Sequence, residues 1–294
     1  TIQQNGSLRL TDILKEQTGL NLTSGFGAGI QLQGLNPDYT IILINGEPLV
    51  GRTAGVFDLN RIALGNIKKI EIVKGPSSSL YGSEAMAGVI NIITDASMGA
   101  PLTIGLRYGT YNTVDANLET KFQTKNFQYQ GFINSYNTDG YSIRPNSNSR
   151  VRTPIERYST TQQFKWELSS KTNFVLNTRY TNEQIQNEIA VSNNGVTIYS
   201  IGKENIKDLN ASASLNHRFS NHLKTSLRTY TTTYDAIQNL LTINGLPYRD
   251  VLNHNFKRIE NQTDWDLNKK IQAVFGIGAV WEGVKSSRYD SEKL

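Results

Sequence analysis

Three histidines, a few carboxylate pairs and several glycine-punctuated segments are the places where this chain could do chemistry. None assembles into a catalytic constellation. The strained serine turn G-x-S-x-G, the phosphate-cradling Walker loop and the zinc-binding H-E-x-x-H are all absent. Asp264 and Asp266 share one face of an alternating segment and read as polar lining, not as an acid and base pair. His217 and His222 flank a Ser220-Asn221 turn, and His254 stands alone. Gly25, Gly27 and Gly29 miss the dinucleotide fingerprint, because the third glycine falls one residue early and no strand or helix is predicted around them. The expectation is a protein that is not an enzyme, with no bound metal and no cofactor.

The elements that hold these residues come in two textures. Residues 7–17 place Leu10, Ile13 and Leu14 at helical spacing, with Ser7 as N-cap and Gly19 as stop. Residues 20–29 read as a loop, and 30–35 and 39–44 as short strands. Asn45-Gly46 is a strong turn signal. Residues 49–57 form a glycine-containing loop, and 58–64 one or two helical turns. Residues 67–73 and 89–94 read as two buried strands around a small-residue loop holding Gly75-Pro76 and Gly82, with Gly88 at its far end. A small mixed α/β domain therefore occupies residues 1–98.

From Pro101 onward apolar and polar residues alternate with period two. Leu209, Ala211, Ala213 and Leu215 fall on one face, with Asn210, Ser212 and Ser214 on the other. Nine such segments lie near 102–109, 112–123, 127–137, 157–168, 173–187, 208–219, 222–237, 255–267 and 271–288. They exceed the usual globular strand of about 5–6 residues and match the roughly 9–11 of a tilted membrane-spanning strand. Tight connections alternate with long ones near 139–156, 188–207 and 239–254, after one short connection at Thr110-Tyr111. That parity fits short periplasmic turns and long external loops. Tyr108, Tyr158, Trp166, Trp265 and Trp281 are candidates for interfacial girdles. A lipocalin-like barrel or β-sandwich is the soluble alternative.

The bulk numbers agree with both textures. The net charge is +5 and the pI about 9.2. Through residue 98 there are 7 basic against 8 acidic side chains, and beyond it 23 against 17. No basic run tracks a phosphate backbone, so nucleic acid is not expected as a partner. The chain has no cysteine, which excludes disulfides and thiolate metal sites. No apolar run reaches 18 residues, which excludes helical membrane spans, and a mean hydropathy of −0.42 suits alternating strands. Nine strands fall short of the even number that closes a bacterial barrel, so the chain is expected to be part of a longer protein.

The segments LQGLNPDYTIILINGEPL (32–49) and DLNRIALGNIKKIEIVKGPSSSLYGSEAMAGVINIIT (58–94) closely resemble the plug domain of TonB-dependent outer-membrane receptors. The match spans most of 7–95, and residues 99–294 are consistent with the first part of the family's transmembrane barrel wall. The fold expected is β-rich: a mixed α/β plug domain, then about nine antiparallel strands of a barrel of about 22.

The resemblance implies a receptor that binds and actively imports a scarce nutrient, a ferric siderophore first, with haem or cobalamin as alternatives. A ligand-binding signal transducer that does not import is the rival from another class. The implied partners are the inner-membrane TonB complex, acting through a box upstream of the plug, outer-membrane lipid, an iron chelate or similar small ligand, and a surface lipoprotein. The implied location is the outer membrane of a Gram-negative bacterium.

By the motif match the ligand-facing stretches are 24–28, 49–56 and 77–83, with Arg52, Thr53, Ser78 and Tyr81 as the contacting side chains. Arg52 offers a cation to carboxylate or phosphate and Tyr81 an amphipathic ring; Ser78 and Tyr81 read equally well as structural. Gly34, Gly46, Gly75, Pro76, Gly82 and Gly88 are expected to serve turns and close packing. Two family arginines that lock plug to barrel are replaced here by Gln33 and Lys74, so the lock is absent at one position and altered at the other. Asn45 stands where the family has a turn aspartate. His254 falls at the external end and reads as a solvated loop histidine before a haem ligand. The polar, tyrosine- and arginine-containing stretch 141–152 tilts the ligand toward a siderophore.

Overall fold

The computed structural model describes residues 10–25, 27–52, 57–62, 67–76, 85–94, 99–142, 153–193, 196–242, 247–268 and 270–287. They divide into two units, Thr1–Ser97 and Met98–Leu294.

In the first unit, helix α1 (Leu10–Lys15) buries Leu10, Ile13 and Leu14, one stripe of its surface. The proposed N-cap Ser7 lies outside the described residues. The stretch predicted as a loop is instead a hairpin, β1 (Leu20–Gly25) and β2 (Gly27–Leu32), with Leu20 opposite Leu32 and Leu22 opposite Ile30. These apolar positions do alternate, but the glycines between them masked the period. A tight turn through Gln33 (φ 53°) and Gly34 (φ 78°) follows, closed by the Leu35 amide on the Leu32 carbonyl at 2.9 Å.

A four-stranded sheet carries the motif segments. Its strands are β3 (Thr40–Ile44), β4 (Glu47–Pro48), β5 (Ile67–Lys74) and β6 (Gly88–Thr94), in the order β4-β3-β6-β5. β3 and β6 run parallel at the centre, which is why both sequences are apolar on two faces. Ile42, Ile90 and Ile92 pack with Leu10, Leu14, Leu32 and Leu59 on one side, while Ile41, Leu43, Ala85 and Val89 cluster on the other. Burying each of the leucine, isoleucine and valine side chains contributes about 1.5–3 kcal/mol.

The expectation of a buried strand at 67–73 needs correction. β5 is an edge strand, with Ile67 buried, Ile70 and Ile72 half-buried against the core, and Val73 52% exposed. Its lysines and Glu71 give it the charged character that protects a sheet edge. The helical turns expected at 58–64 reduce to a 3₁₀ turn, Leu59–Arg61, where the Asp58 side chain accepts from the Asn60 amide.

The second unit is a nine-stranded antiparallel sheet in which each strand pairs with the next. The strands are β7 (Leu102–Gly109), β8 (Thr113–Gln123), β9 (Phe127–Thr138), β10 (Ile155–Ser169), β11 (Thr172–Asn193), β12 (Val196–Arg218), β13 (Leu223–Thr242), β14 (Pro247–Asn268) and β15 (Ile271–Ser286). All nine predicted segments are strands. The long loops expected at 188–207 and 239–254 are not loops, because β11 to β14 run for 20–23 residues and continue through most of both stretches. Their outer parts carry apolar residues on both faces, as Leu240 beside Leu241 and Val251 beside Leu252, so no one-sided apolar stripe advertised them, yet backbone pairing continues, as in Glu188 opposite Ile201 and Asn239 opposite Arg249.

The two faces of this sheet reverse the soluble pattern. One carries Leu209, Leu227, Ile259, Phe275 and Ile277, all exposed; the last is 78% exposed. On the same face, Phe127, Phe164, Trp166 and Phe174 stack ring to ring near the short turns, with centroids 5.3–5.7 Å apart. Tyr158, eight residues from Trp166 on β10, stands toward the opposite end, about 26 Å along the strand. The other face is polar, and much of it is buried, including Asn134, Arg157, Glu183 and Asp208.

Candidate functional site

The turn between β3 and β4 is the best-organised polar feature of the first unit. Asn45 (φ 52°) and Gly46 (φ 83°) both adopt the left-handed conformation of a type I′ hairpin turn, which Asn-Gly accommodates at little cost. The Asn45 carboxamide makes a reciprocal pair with Thr94: its Nδ2 donates to Thr94 Oγ1 at 2.8 Å, and its Oδ1 accepts from the Thr94 amide at 3.0 Å. An aspartate there could only accept.

Next to it, Asn91 Oδ1 accepts from the Gly46 amide at 3.1 Å and Asn91 Nδ2 donates to Glu71 Oε2 at 3.2 Å. Glu71 is paired with Lys69 at 2.6 Å. The hydrogen bond from Lys69, then its charge, then the Asn91 bond hold the Glu71 carboxyl below its ordinary value. Sequence reasoning missed Asn91. It is the one polar residue inside an otherwise apolar strand, and that interruption was the available signal.

Arg52 is held by backbone oxygens. Its Nη1 donates to the Pro37 carbonyl at 2.9 Å and its Nη2 to the Thr40 carbonyl at 3.0 Å, clasping the turn that leads into β3. Lys74 Nζ donates to the Thr18 carbonyl, three residues beyond α1. Gln33 and Gly34 sit exposed in their turn. The Gly75 amide donates to the Ala87 carbonyl at 3.0 Å, and Pro76 is exposed.

Gly88 lies at φ 150°, and a Cβ there would stand 2.2 Å from the Val73 carbonyl oxygen. Only glycine lets β5 and β6 approach this closely. Thr53, Ser78, Tyr81 and Gly82 fall outside the described residues. Arg61, not singled out from sequence, is buried with its guanidinium 4.7 Å from the Phe57 ring centre.

On the polar face of the second unit, charges are paired side to side. Arg157 Nε donates to Glu183, a pair with side chains 3% and 0% exposed, and the Arg157 guanidinium stands 5.9 Å from the Tyr136 ring centre. Arg179 bonds Asp208 at 3.2 Å, and Asn210 receives the Tyr230 hydroxyl at 2.8 Å while donating to Asp208 at 2.6 Å. Asp264 pairs with Lys224 at 3.2 Å and lies on this face.

His254 is not a loop residue. It belongs to β14, and its Nε2 lies 2.7 Å from Glu282 Oε1 on the neighbouring strand. His217 bonds Thr172 Oγ1 at 2.8 Å and packs edge-on against Phe219. Among the described residues no group of three or more His, Asp or Glu converges. The described residues form a hydrogen-bonded scaffold, and among them no nucleophile stands with its base.

Comparison with known proteins adds to this geometry. Residues 1–89 match the family described as TonB-dependent Receptor Plug Domain. The vitamin B12 transporter BtuB of Vibrio vulnificus is 30% identical over 154 residues, 49% of this chain and 24% of that protein. The chain thus matches about a quarter of the length of such curated relatives.

Among solved structures, the ferric-catecholate import receptor Fiu of E. coli in its open form superposes with a TM-score of 0.75 at 14% identity, over 96% of this chain and 48% of that one. The siderophore receptor PiuA of Acinetobacter baumannii gives 0.71 at 13% identity, over 95% and 43%. These two likenesses are of fold.

Proposed function

We propose, for a chain that belongs to the TonB-dependent receptor family, that the protein is an outer-membrane receptor of a Gram-negative bacterium that binds and imports a scarce nutrient. One observation carries the reading. A plug-family segment is joined, in one chain, to a nine-stranded antiparallel sheet whose exposed face is apolar and whose other face is polar. That inversion suits strands with lipid on one side and a hydrated interior on the other. In this proposal residues 1–98 form the plug and 99–294 the first part of the barrel wall. The inner-membrane TonB complex supplies the energy.

Transport of this kind is gated binding. Ligand docks on 24–28, 49–56 and 77–83, and the plug then rearranges to let it pass. Arg52 serves that surface by fixing the start of the 49–56 stretch to the carbonyls of Pro37 and Thr40; Thr53, Ser78 and Tyr81 are proposed as direct contacts. A ferric siderophore is the favoured ligand, because the Tyr-, Asn- and Arg-containing stretch 141–152 suits a polar chelate with aromatic parts. Cobalamin is the second reading, favoured by the 30% identity to BtuB. Haem is less favoured, since His254 is already bonded to Glu282.

The test is titration of the detergent-purified full-length receptor with a ferric-siderophore panel, cobalamin and haem, read by tryptophan fluorescence. Saturable quenching by a siderophore alone supports the favoured reading, and quenching by cobalamin alone overturns it in favour of the second. Uptake that persists in cells lacking TonB, with the receptor at the surface, would remove active import and leave a receptor that signals without transporting.

A further inference from the structure

The Asn45-Gly46 turn has latent chemistry of its own. Bonding of the Gly46 nitrogen to the Asn45 side-chain carbon Cγ would close a five-membered imide ring. Glycine hinders that closure least, since no Cβ crowds the attacking nitrogen. Asn45 and Gly46 are both exposed, so water reaches the turn.

The folded turn holds both reacting groups back. The Asn45 carboxamide, which would have to swing over the backbone, is fastened to Thr94 at two points. Its Nδ2 donates to Thr94 Oγ1 at 2.8 Å and its Oδ1 accepts from the Thr94 amide at 3.0 Å. The Gly46 N–H, which would have to lose its proton, donates to Asn91 Oδ1 at 3.1 Å. A hydrogen bond made by the neutral form opposes ionisation. The Asn45 amide in turn donates to the Ile92 carbonyl at 2.9 Å. These bonds all end on residues 91–94 of β6, whereas β4 on the other side of the turn is two residues long. The end of β6 is thus the clamp on a reactive turn.

We propose that Asn45 is a site of spontaneous deamidation that the end of β6 holds shut, so that modification proceeds when residues 91–94 let go of the turn. The Gly46 nitrogen gives up its proton and bonds to Asn45 Cγ. The Cγ–Nδ2 bond breaks, and the nitrogen leaves as ammonia, carrying that proton. Water then opens the imide. Cleavage between the Gly46 nitrogen and Cγ leaves aspartate. Cleavage between that nitrogen and the main-chain carbonyl carbon of residue 45 leaves isoaspartate, with the chain rerouted through the side chain. Aspartate keeps only the acceptor toward the Thr94 amide. Isoaspartate lengthens the backbone of a two-residue turn by one atom, which disrupts the pairing of Ile44 with Glu47 and Leu43 with Pro48. Refolding reverses neither product.

The test follows the full-length protein in detergent at mildly alkaline pH over time. Peptide mass spectrometry scores the gain of water less ammonia at Asn45, and isoaspartyl methyltransferase labelling scores isoaspartate. The same protein in concentrated urea gives the unclamped rate. Three further Asn-Gly pairs, at Asn5, Asn194 and Asn244, calibrate that rate in the same digest. A double variant, Thr94→Val with Asn91→Leu, removes the Oγ1 and Oδ1 acceptors. Hydrogen exchange across β3 and β5 reports whether its sheet has formed.

In urea Asn45 is expected to react at about the rate of the other three pairs. In the folded native protein it should be slower by about tenfold or more, and in the double variant it should return to within about threefold of the urea rate while β3 stays protected. A folded rate equal to the urea rate, a folded double variant no faster than the native protein, or an Asn45 that is stable in urea while the other pairs react each overturns the proposal. If the double variant does not fold, Thr94→Val alone decides: a rate above native is expected, and a rate equal to native overturns the proposal.

Discussion

The two units set β-strands in opposite surroundings. In the first, β3 and β6 carry apolar residues on both faces, interrupted inside β6 by Asn91, and the charged side chains of the sheet lie on its edge strands β4 and β5. In the second, apolar side chains point outward and charges are buried, so that Ile277 is 78% exposed while Glu183 is 1% exposed. The difference shows in the ion pairs. Lys69–Glu71 in the first unit is open to solvent, whereas Arg157–Glu183 in the second is sealed. An exposed pair contributes little and is screened by salt, while breaking a sealed one strands a charge.

The largest expected effect is therefore at Glu183. Glu183→Ala leaves the Arg157 charge buried without its carboxylate and should cost about 3–5 kcal/mol. Thermal unfolding of the folded protein in detergent measures it. The double replacement Arg157→Met with Glu183→Leu should recover most of the loss. If the single variant unfolds like the native protein, the pair is not sealed and the contrast between the units collapses.

Ile277→Arg sharpens the comparison from the other side. In water a substitution at so exposed a position would change stability by less than about 0.5 kcal/mol. Facing lipid near the middle of the band it should cost about 2–4 kcal/mol. Unfolding into detergent or bilayer gives the number, and a neutral outcome would place that face in water.

Gly88→Ala should cost about 2–3 kcal/mol, because the new methyl meets the Val73 carbonyl oxygen at 2.2 Å in a conformation that side chains rarely adopt. Hydrogen exchange by mass spectrometry should show the loss of protection within residues 1–97 and leave β7 to β15 unchanged.

Legibility in the sequence followed the same division. The nine long strands were readable because one face is apolar for most of their length, and their extension into 188–207 and 239–254 was hidden where apolar residues fall on both faces and the alternation breaks. In the first unit, β6 was readable from its continuous apolar run, but the edge position of β5 was not, since an alternating lysine-rich strand can be buried or exposed depending on its neighbours. Gly88 could be suspected of close packing, yet the atom it approaches comes from Val73, fifteen residues away. The clasp of Arg52 on the Pro37 and Thr40 carbonyls depends on how a turn folds back, and residue type alone suggested only a free cation. The Asn45–Thr94 pair, 49 residues apart, had no local trace. Thr53, Ser78 and Tyr81 keep only the support of the motif that named them.

Two smaller effects test the exposed network of the first unit. Asn45→Asp keeps the acceptor toward the Thr94 amide but loses the donor to Thr94 Oγ1, and should cost about 1 kcal/mol, read from local hydrogen exchange at the β3–β4 turn.

The smallest expected effect is the pH response of Glu71. Its carboxyl titrates below the ordinary value of 4.5 because Lys69 donates to it and lies beside it as a charge, with Asn91 adding a further bond. A depressed folded value means that the stabilisation is complete above 4.5 and is lost as pH falls through the lower folded value. On acidification the β5–β6 edge should thus lose protection before the rest of the sheet. Glu71→Gln should remove that acid response while keeping an acceptor for Asn91. Salt distinguishes the two units here, since ionic strength of about 1 M shortens the screening length to about 3 Å and should erase the Lys69–Glu71 contribution. The same salt should leave the cost of Glu183→Ala unchanged, because the Arg157–Glu183 pair is out of its reach. Equal salt sensitivity of both pairs would mean that water penetrates the polar face of the second unit as freely as it bathes β5.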